Sequence, residues 1–137
     1  MAVIEELIRE ESNGTISFGN YNLDAKSKVV DFEFNGDLYK VKTFKGITKL
    51  ERNGLFVYES VPGTTVHNLF VDEKEFKFTV EGPKDAEITI EIEPEKEYKI
   101  FINDTNVGKM KTNLGGKLML SVELEENKNS EIKVIKL

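Results

Sequence analysis

The chain has 137 residues, of which 39% are hydrophobic and 32% charged, a balance typical of a folded globular protein rather than a disordered one. Its formal net charge of −6 argues against a nucleic-acid partner, because binding to a phosphate backbone depends on clustered Lys and Arg. The absence of cysteine excludes disulfides, thiolate zinc sites and cysteine nucleophiles.

The N-terminal segment carries a helical pattern. Its apolar residues fall at helical spacing opposite carboxylates and Arg9, so the sequence predicts one short helix over residues 3–11. The apolar side of this helix consists of Val3, Ile4, Leu7 and Ile8. A helix this short is marginal alone in water, so we expect it to dock on its own sheet or on another subunit.

The N-terminal segment also bears on where the protein lies in the cell. It lacks the basic start, the apolar core and the cleavage site of a signal peptide. No stretch of the sequence approaches the roughly 18 apolar residues that span a bilayer. We therefore expect a cytoplasmic protein without a membrane partner.

From Thr15 onward the apolar period falls to two, which is the pattern of half-buried strands. The pairs Asn35-Gly36 and Asn53-Gly54 favour type I′ hairpin turns, because both residues of each pair tolerate positive φ. The Val61-Pro62-Gly63-Thr64 run predicts a type II turn. Lysines alternate with acidic residues along most segments, which is typical of the solvated face of a strand.

Strands recur at short, regular spacing to the end of the chain, with turn residues between them. The sequence therefore predicts an all-β fold: an antiparallel two-layer β-sandwich or barrel-like structure of ten to eleven strands with a short N-terminal helix. The clearest boundary is the turn at residues 82–85 (GPKD). It divides residues 1–81, a helix plus an antiparallel meander, from residues 82–137, and the two parts form either two units or one packed unit.

The second part carries a family resemblance. The runs YKIFI at residues 98–102, VGK at 107–109 and NLGGKL at 113–118 resemble the immunoglobulin-like β-sandwich modules of bacterial surface and polysaccharide-active proteins. This resemblance implies an immunoglobulin-like half-sandwich without catalytic residues, used in adhesion, spacing or sugar binding. The runs ISFGNY at residues 16–21 and YESVPGT at 58–64 are similar to small bacterial proteins labelled endosialidase, which implies a carbohydrate-active role.

The polar residues do not form a recognisable catalytic pattern. His67 is the sole histidine, so a multi-histidine metal site is excluded. A sialidase-like site would gather several arginines on the substrate carboxylate, and the chain offers only Arg9 and Arg52. We predict no enzyme activity, cofactor or metal, and a polar site, if there is one, would contain His67 and Arg52.

Apolar residues on both faces of some strands suggest a second covered surface, because a two-layer fold uses such strands only where both faces are buried. The predicted oligomer contact comprises Val3, Ile4, Leu7, Ile8, Phe56, Tyr58 and Phe70. The leading functional hypothesis is a non-enzymatic interaction or self-assembly module that forms a homo-oligomer. The alternatives are a carbohydrate-binding or carbohydrate-active accessory protein with a glycan partner, and a small-molecule carrier with a pocket between the layers.

Overall fold

The computed structural model describes residues 2–137, and this part of the chain is all β, in thirteen strands without a helix. It accordingly holds no helix long and apolar enough to cross a membrane. The strands are β1 (Ile8–Glu10), β2 (Ile16–Phe18), β3 (Ser27–Phe34), β4 (Asp37–Phe44), β5 (Ile47–Arg52), β6 (Leu55–Val61), β7 (Thr65–Val71), β8 (Glu75–Glu81), β9 (Ala86–Glu91), β10 (Glu97–Ile102), β11 (Thr105–Lys111), β12 (Lys117–Val122) and β13 (Asn129–Lys136).

The strands form two antiparallel sheets in a sandwich-like arrangement. Sheet A has seven strands in the order β1-β2-β7-β8-β13-β10-β11. Sheet B has six strands in the order β12-β9-β6-β5-β4-β3. The all-β, two-layer prediction is confirmed at this level.

One hydrophobic cluster lies between the sheets and takes the inward side chains of both. At its centre the Tyr58 ring meets Phe18 and Phe78 edge-on, with centroid separations of 5.3 Å and 5.5 Å. Such edge-to-face pairs add to the free energy of burial. The aromatic residues that the sequence concentrates in its first half therefore serve mainly as core.

The predicted N-terminal helix is wrong. Residues 8–10 pair with β2 as an edge strand, and the Ile4 amide donates to the Gly19 carbonyl at 3.1 Å. Leu7 has a φ of 72°, which lies outside the helical region. Pairing with the sheet satisfies the backbone and leaves Ile4 and Ile8 only 0% and 3% exposed, a burial that an isolated helix of this length would not obtain.

Two of the three turn predictions are confirmed and one is wrong. Asn35 and Gly36 have φ values of 51° and 81°, and Asn53 and Gly54 have 52° and 80°, so both type I′ turns are confirmed. The type II turn at residues 61–64 is wrong, because the Val61–Pro62 peptide is cis and Gly63 does not adopt a positive φ.

The two sheets are not divided at residues 82–83. In sheet A, β8 pairs with β13, and in sheet B, β6 pairs with β9, so strands from both parts of the chain meet in each sheet. Alternation of apolar residues indicates which face of a strand is buried, but it does not indicate the neighbouring strand. The sequence therefore predicted two layers correctly, but the turn at residues 82–85 does not separate them. Strands β1, β2, β7 and β8 share sheet A with β10, β11 and β13, whereas β9 and β12 lie in sheet B.

Candidate functional site

The residues predicted to form an oligomer contact do not share one surface. Ile4, Ile8 and Tyr58 are buried within the chain, with exposed fractions of 0%, 3% and 0%, and are therefore not available for a contact. Phe56 lies on β6 of sheet B, whereas Phe70 lies on β7 of sheet A, and both are partly exposed. The remaining two residues, Val3 and Leu7, are partly buried near the N-terminus.

His67 and Arg52, the predicted polar pair, are not brought together. His67 lies on β7 of sheet A, and Arg52 ends β5 of sheet B. Each lines a different surface depression. A single site containing both residues is therefore not formed.

His67 instead faces a carboxylate on the next strand. Its Nε2 atom lies 3.5 Å from Oε1 of Glu81, and the two side chains are only 6% and 8% exposed. Within residues 2–137 neither atom has a hydrogen-bond partner. The contact is thus a close approach of two buried polar atoms, and in this part of the chain no nucleophile or arginine lies within hydrogen-bonding distance of either.

The depression beside His67, about 390 Å³ in volume, is lined mainly by polar groups of the N-terminal strands. The Ser17 hydroxyl donates to Oε2 of Glu11 at 2.5 Å and accepts from the Asn68 amide at 3.0 Å, while Nε of Arg9 donates to Glu11 at 3.2 Å. The Ser17 hydrogen bond, with the nearby Arg9 cation, lowers the pKa of Glu11 below its ordinary value. Because these groups already satisfy one another, the network ties β1, β2 and β7 together.

A second polar cluster, missed from the sequence, lies inside the sandwich. The Thr64 hydroxyl meets the Tyr58 hydroxyl at 2.8 Å and the Ser60 hydroxyl at 2.7 Å. Thr48 donates to the Thr64 carbonyl at 2.7 Å and meets the Thr43 hydroxyl at 2.8 Å. All five residues are fully buried, so burial raises the pKa of the Tyr58 phenol and keeps it protonated. The cluster fastens the loop at residues 62–64 to sheet B.

The sequence held a signal for this cluster. Thr43, Thr48 and Ser60 occupy positions whose side chains face the core, where apolar residues would be expected. Buried hydroxyls at such positions require hydrogen-bond partners, and neighbouring buried hydroxyls can supply them. No such signal marks Glu81 as buried, because it occupies an outward-facing position in the alternation of β8.

A groove of about 240 Å³ lies where the β5–β6 turn, the β7–β8 loop and the end of β9 meet. Arg52 and Phe56, both singled out from the sequence, line it together with Leu55 and Val71. Leu55 is 67% exposed and Val71 38% exposed. Charged residues form much of the rest of the lining: Asp72, Glu73, Lys74, Glu75, Glu91 and Glu93. The remaining lining residues are Val57, Phe76, Ile92 and Tyr98. We call this feature the end groove.

The Phe56 ring also borders the outer face of sheet B. Nζ of Lys117 lies 4.9 Å from its centroid, and Nζ of Lys49 lies 5.7 Å from it. Both distances permit cation–π attraction. Phe56 is thus a partly exposed aromatic ring with two lysine cations near it.

Within residues 2–137 there is no group of three or more His, Asp or Glu side chains placed to hold a metal ion. Comparisons with protein-family models, with curated proteins and with solved structures find no match for the chain. The resemblances to immunoglobulin-like modules and to endosialidase-labelled proteins stay predictions.

Proposed function

We propose that the chain is a non-enzymatic interaction module that self-associates through the end groove. The observation that carries this proposal is the position of Leu55, which follows the tight Asn53-Gly54 turn and is 67% exposed directly beside an apolar-lined groove. A two-fold interface uses the same patch on both copies. In that arrangement Leu55 of each copy enters the groove of the other.

Charges of both signs line the groove. Arg52 and Lys74 are cations, and five carboxylates accompany them: Asp72, Glu73, Glu75, Glu91 and Glu93. The last three of these form ion pairs within the chain, with Lys77, Lys117 and Lys136, so Asp72 and Glu73 are the carboxylates offered to the cations of a second copy. A patch that carries both signs is self-complementary under a two-fold rotation, because a cation of one copy then meets a carboxylate of the other. A patch of one sign would repel itself.

The size of the groove sets the expected strength. A standard stable interface removes about 800 Å² per partner, roughly a tenth of the 7566 Å² surface of this chain. A groove of about 240 Å³ forms only the centre of such an interface. We therefore expect a weak dimer, with a dissociation constant on the order of tens of micromolar.

The arrangement of the polar groups supports the non-enzymatic part of the proposal. Catalysis by acid–base or nucleophilic chemistry needs a reactive group within hydrogen-bonding reach of its partner and of substrate. His67 faces Glu81 with both side chains more than nine-tenths buried, and Arg52 lies on the other sheet. The acids Glu91 and Glu93 at the end groove lie on a partly exposed surface rather than in an apolar pocket.

Light scattering at concentrations up to the expected dissociation constant and above tests the proposal. The wild-type chain should show a weight-average mass rising toward twice its 15.6 kDa. Leu55→Asp should hold it at the monomer mass, because it removes the apolar side chain and adds a carboxylate to a lining that already holds five. Val107→Asp is the matched control, since Val107 is 56% exposed on β11. A wild-type mass that stays monomeric, or equal behaviour of the two variants, would contradict the proposal.

Carbohydrate binding is the second candidate function, and the Phe56 ring with two lysine cations near it favours it. An exposed aromatic ring offers a flat apolar surface to the C–H face of a sugar, while the neighbouring lysines offer donors. A glycan array is the test, with Phe56→Ala expected to lose the signal and Phe70→Ala, on the other sheet, expected to keep it. A blank array together with a blank sialidase-substrate assay would remove this candidate.

A further inference from the structure

The outer face of sheet B gathers lysines from three neighbouring strands. Lys28 of β3 lies directly opposite Lys42 of β4, and Lys42 lies directly opposite Lys49 of β5. Lys40 stands on the same face of β4, two residues from Lys42, and a depression of about 110 Å³ is lined by Lys40, Lys42, Lys49 and Glu51. We call Lys28, Lys40, Lys42 and Lys49 the lysine face.

Among the described residues, none of these four lysines forms an ion pair within 4.0 Å, although Glu51 lies directly opposite Lys40 and Glu59 directly opposite Lys49. Six other lysines do form such pairs. The chain as a whole carries a net charge of −6, so its positive charge is locally segregated. Like charges directly opposite each other on a sheet are destabilising, so the row Lys28–Lys42–Lys49 lowers the stability of the fold. A bound anion would offset this repulsion.

The neighbours of the lysine face narrow the class of anion. Phe56 lies directly opposite Glu51, one strand beyond, and Glu59 lies directly opposite Lys49. The carboxylates accept hydrogen bonds from hydroxyl groups, which a polysaccharide carries on every ring, while the Phe56 ring offers a stacking surface. This combination fits a polymer that has carboxylates, many hydroxyls and apolar C–H faces.

We infer that the outer face of sheet B binds an acidic polysaccharide, with its carboxylates on the lysine face and a sugar ring against Phe56. The inference rests on the second candidate function and names its ligand class and its surface. It also explains why lysines stand opposite one another in an acidic chain.

The test is calorimetric titration with an oligogalacturonate and with its fully methyl-esterified counterpart, which has the same sugar backbone without the charge. The acidic oligomer should bind, and the ester should bind at least about tenfold more weakly. Binding should weaken further between about 50 and 200 mM salt, because the contacts are solvent-exposed ionic ones.

Two charge-matched variants locate the site. Lys42→Gln with Lys49→Gln should weaken binding of the acidic oligomer about tenfold or more, whereas Lys109→Gln with Lys111→Gln on the exposed strand β11 should leave it unchanged. The first variant should stay folded at the titration temperature, because the relief of repulsion along Lys28–Lys42–Lys49 offsets the Lys49–Phe56 cation–π contact that it loses. A loss of binding therefore reports on the site and not on unfolding.

Several results would overturn the inference: no binding of the acidic oligomer, equal binding of the ester, equal loss in both variants, or equally tight binding of a single-stranded DNA of the same charge. The glycan array separates this failure from that of the second candidate function. Binding of neutral glycans without binding of oligogalacturonate would contradict the acidic ligand alone, whereas a blank array would contradict both.

Discussion

At the scale of single residues, local pattern predicts backbone conformation well and side-chain partners poorly. Asn35-Gly36 and Asn53-Gly54 form the expected turns, because the requirement for positive φ is carried by those residues themselves. His67 pairs with Glu81 across two strands, a contact that depends on the register of β7 with β8. The side-chain carboxylate of Glu11, which follows β1, likewise has its hydrogen-bond partner, the Ser17 hydroxyl, in β2.

Glu11 gives the chain a defined acid sensitivity. The hydrogen bond from Ser17 lowers the pKa of Glu11 from the ordinary value of 4.5, so the ionised carboxylate stabilises the fold. That contribution is complete above the ordinary value and is lost as the pH falls through the lowered one. We expect Glu11→Gln to reduce the free energy of unfolding by about 1 kcal/mol at neutral pH.

The measurement is urea unfolding of the wild-type chain and of the variant at a series of pH values. The difference between them should shrink as the pH falls below 4.5. Glu10→Gln, on the exposed end of β1, is the control and should cost little at any pH. A difference between wild type and Glu11→Gln that stays constant down to about pH 3 would refute the role given to the Ser17 hydrogen bond.

At the scale of elements, the N-terminal strand shows where periodicity misleads. The nine residues 3–11, with apolar side chains at helical spacing, also supply Ile4 and Ile8 to a sheet edge, and the hydrogen bonds of that edge decide the outcome. β11 was not predicted because all seven of its residues are exposed and no alternation marks it. The confirmed strands are those with one buried face, because apolar residues alternate along a strand only where one of its faces is buried.

Ile4 provides the matching prediction. It is 0% exposed in the strand arrangement, so Ile4→Ala should lower the free energy of unfolding by about 2–4 kcal/mol. A helix whose apolar side docks on another subunit would lose far less in the monomer. Chemical denaturation is the measurement, and Val3→Ala, at a partly exposed neighbouring position, is the control. A cost for Ile4→Ala no larger than that of the control would contradict the strand arrangement.

At the scale of the whole molecule, the surfaces that we propose to meet a partner are the outer face of sheet B and the end groove, while the buried polar clusters hold strands together. The sequence predicted the two layers, but not this division, because the lysine face forms only when β3, β4 and β5 align. Along the chain the same lysines alternate with other residues and resemble an ordinary solvated strand.

The most direct test of self-association through the end groove is a dilution series followed by backbone amide NMR spectra. Between about 10 and 500 µM, a range that brackets the expected dissociation constant, the amides of Leu55, Val71 and Lys74 should shift with concentration while that of Val107 should not. Shifts confined to those groove residues, absent in Leu55→Asp, are the predicted result. Spectra that do not change with concentration, or shifts centred on another surface, would contradict the account.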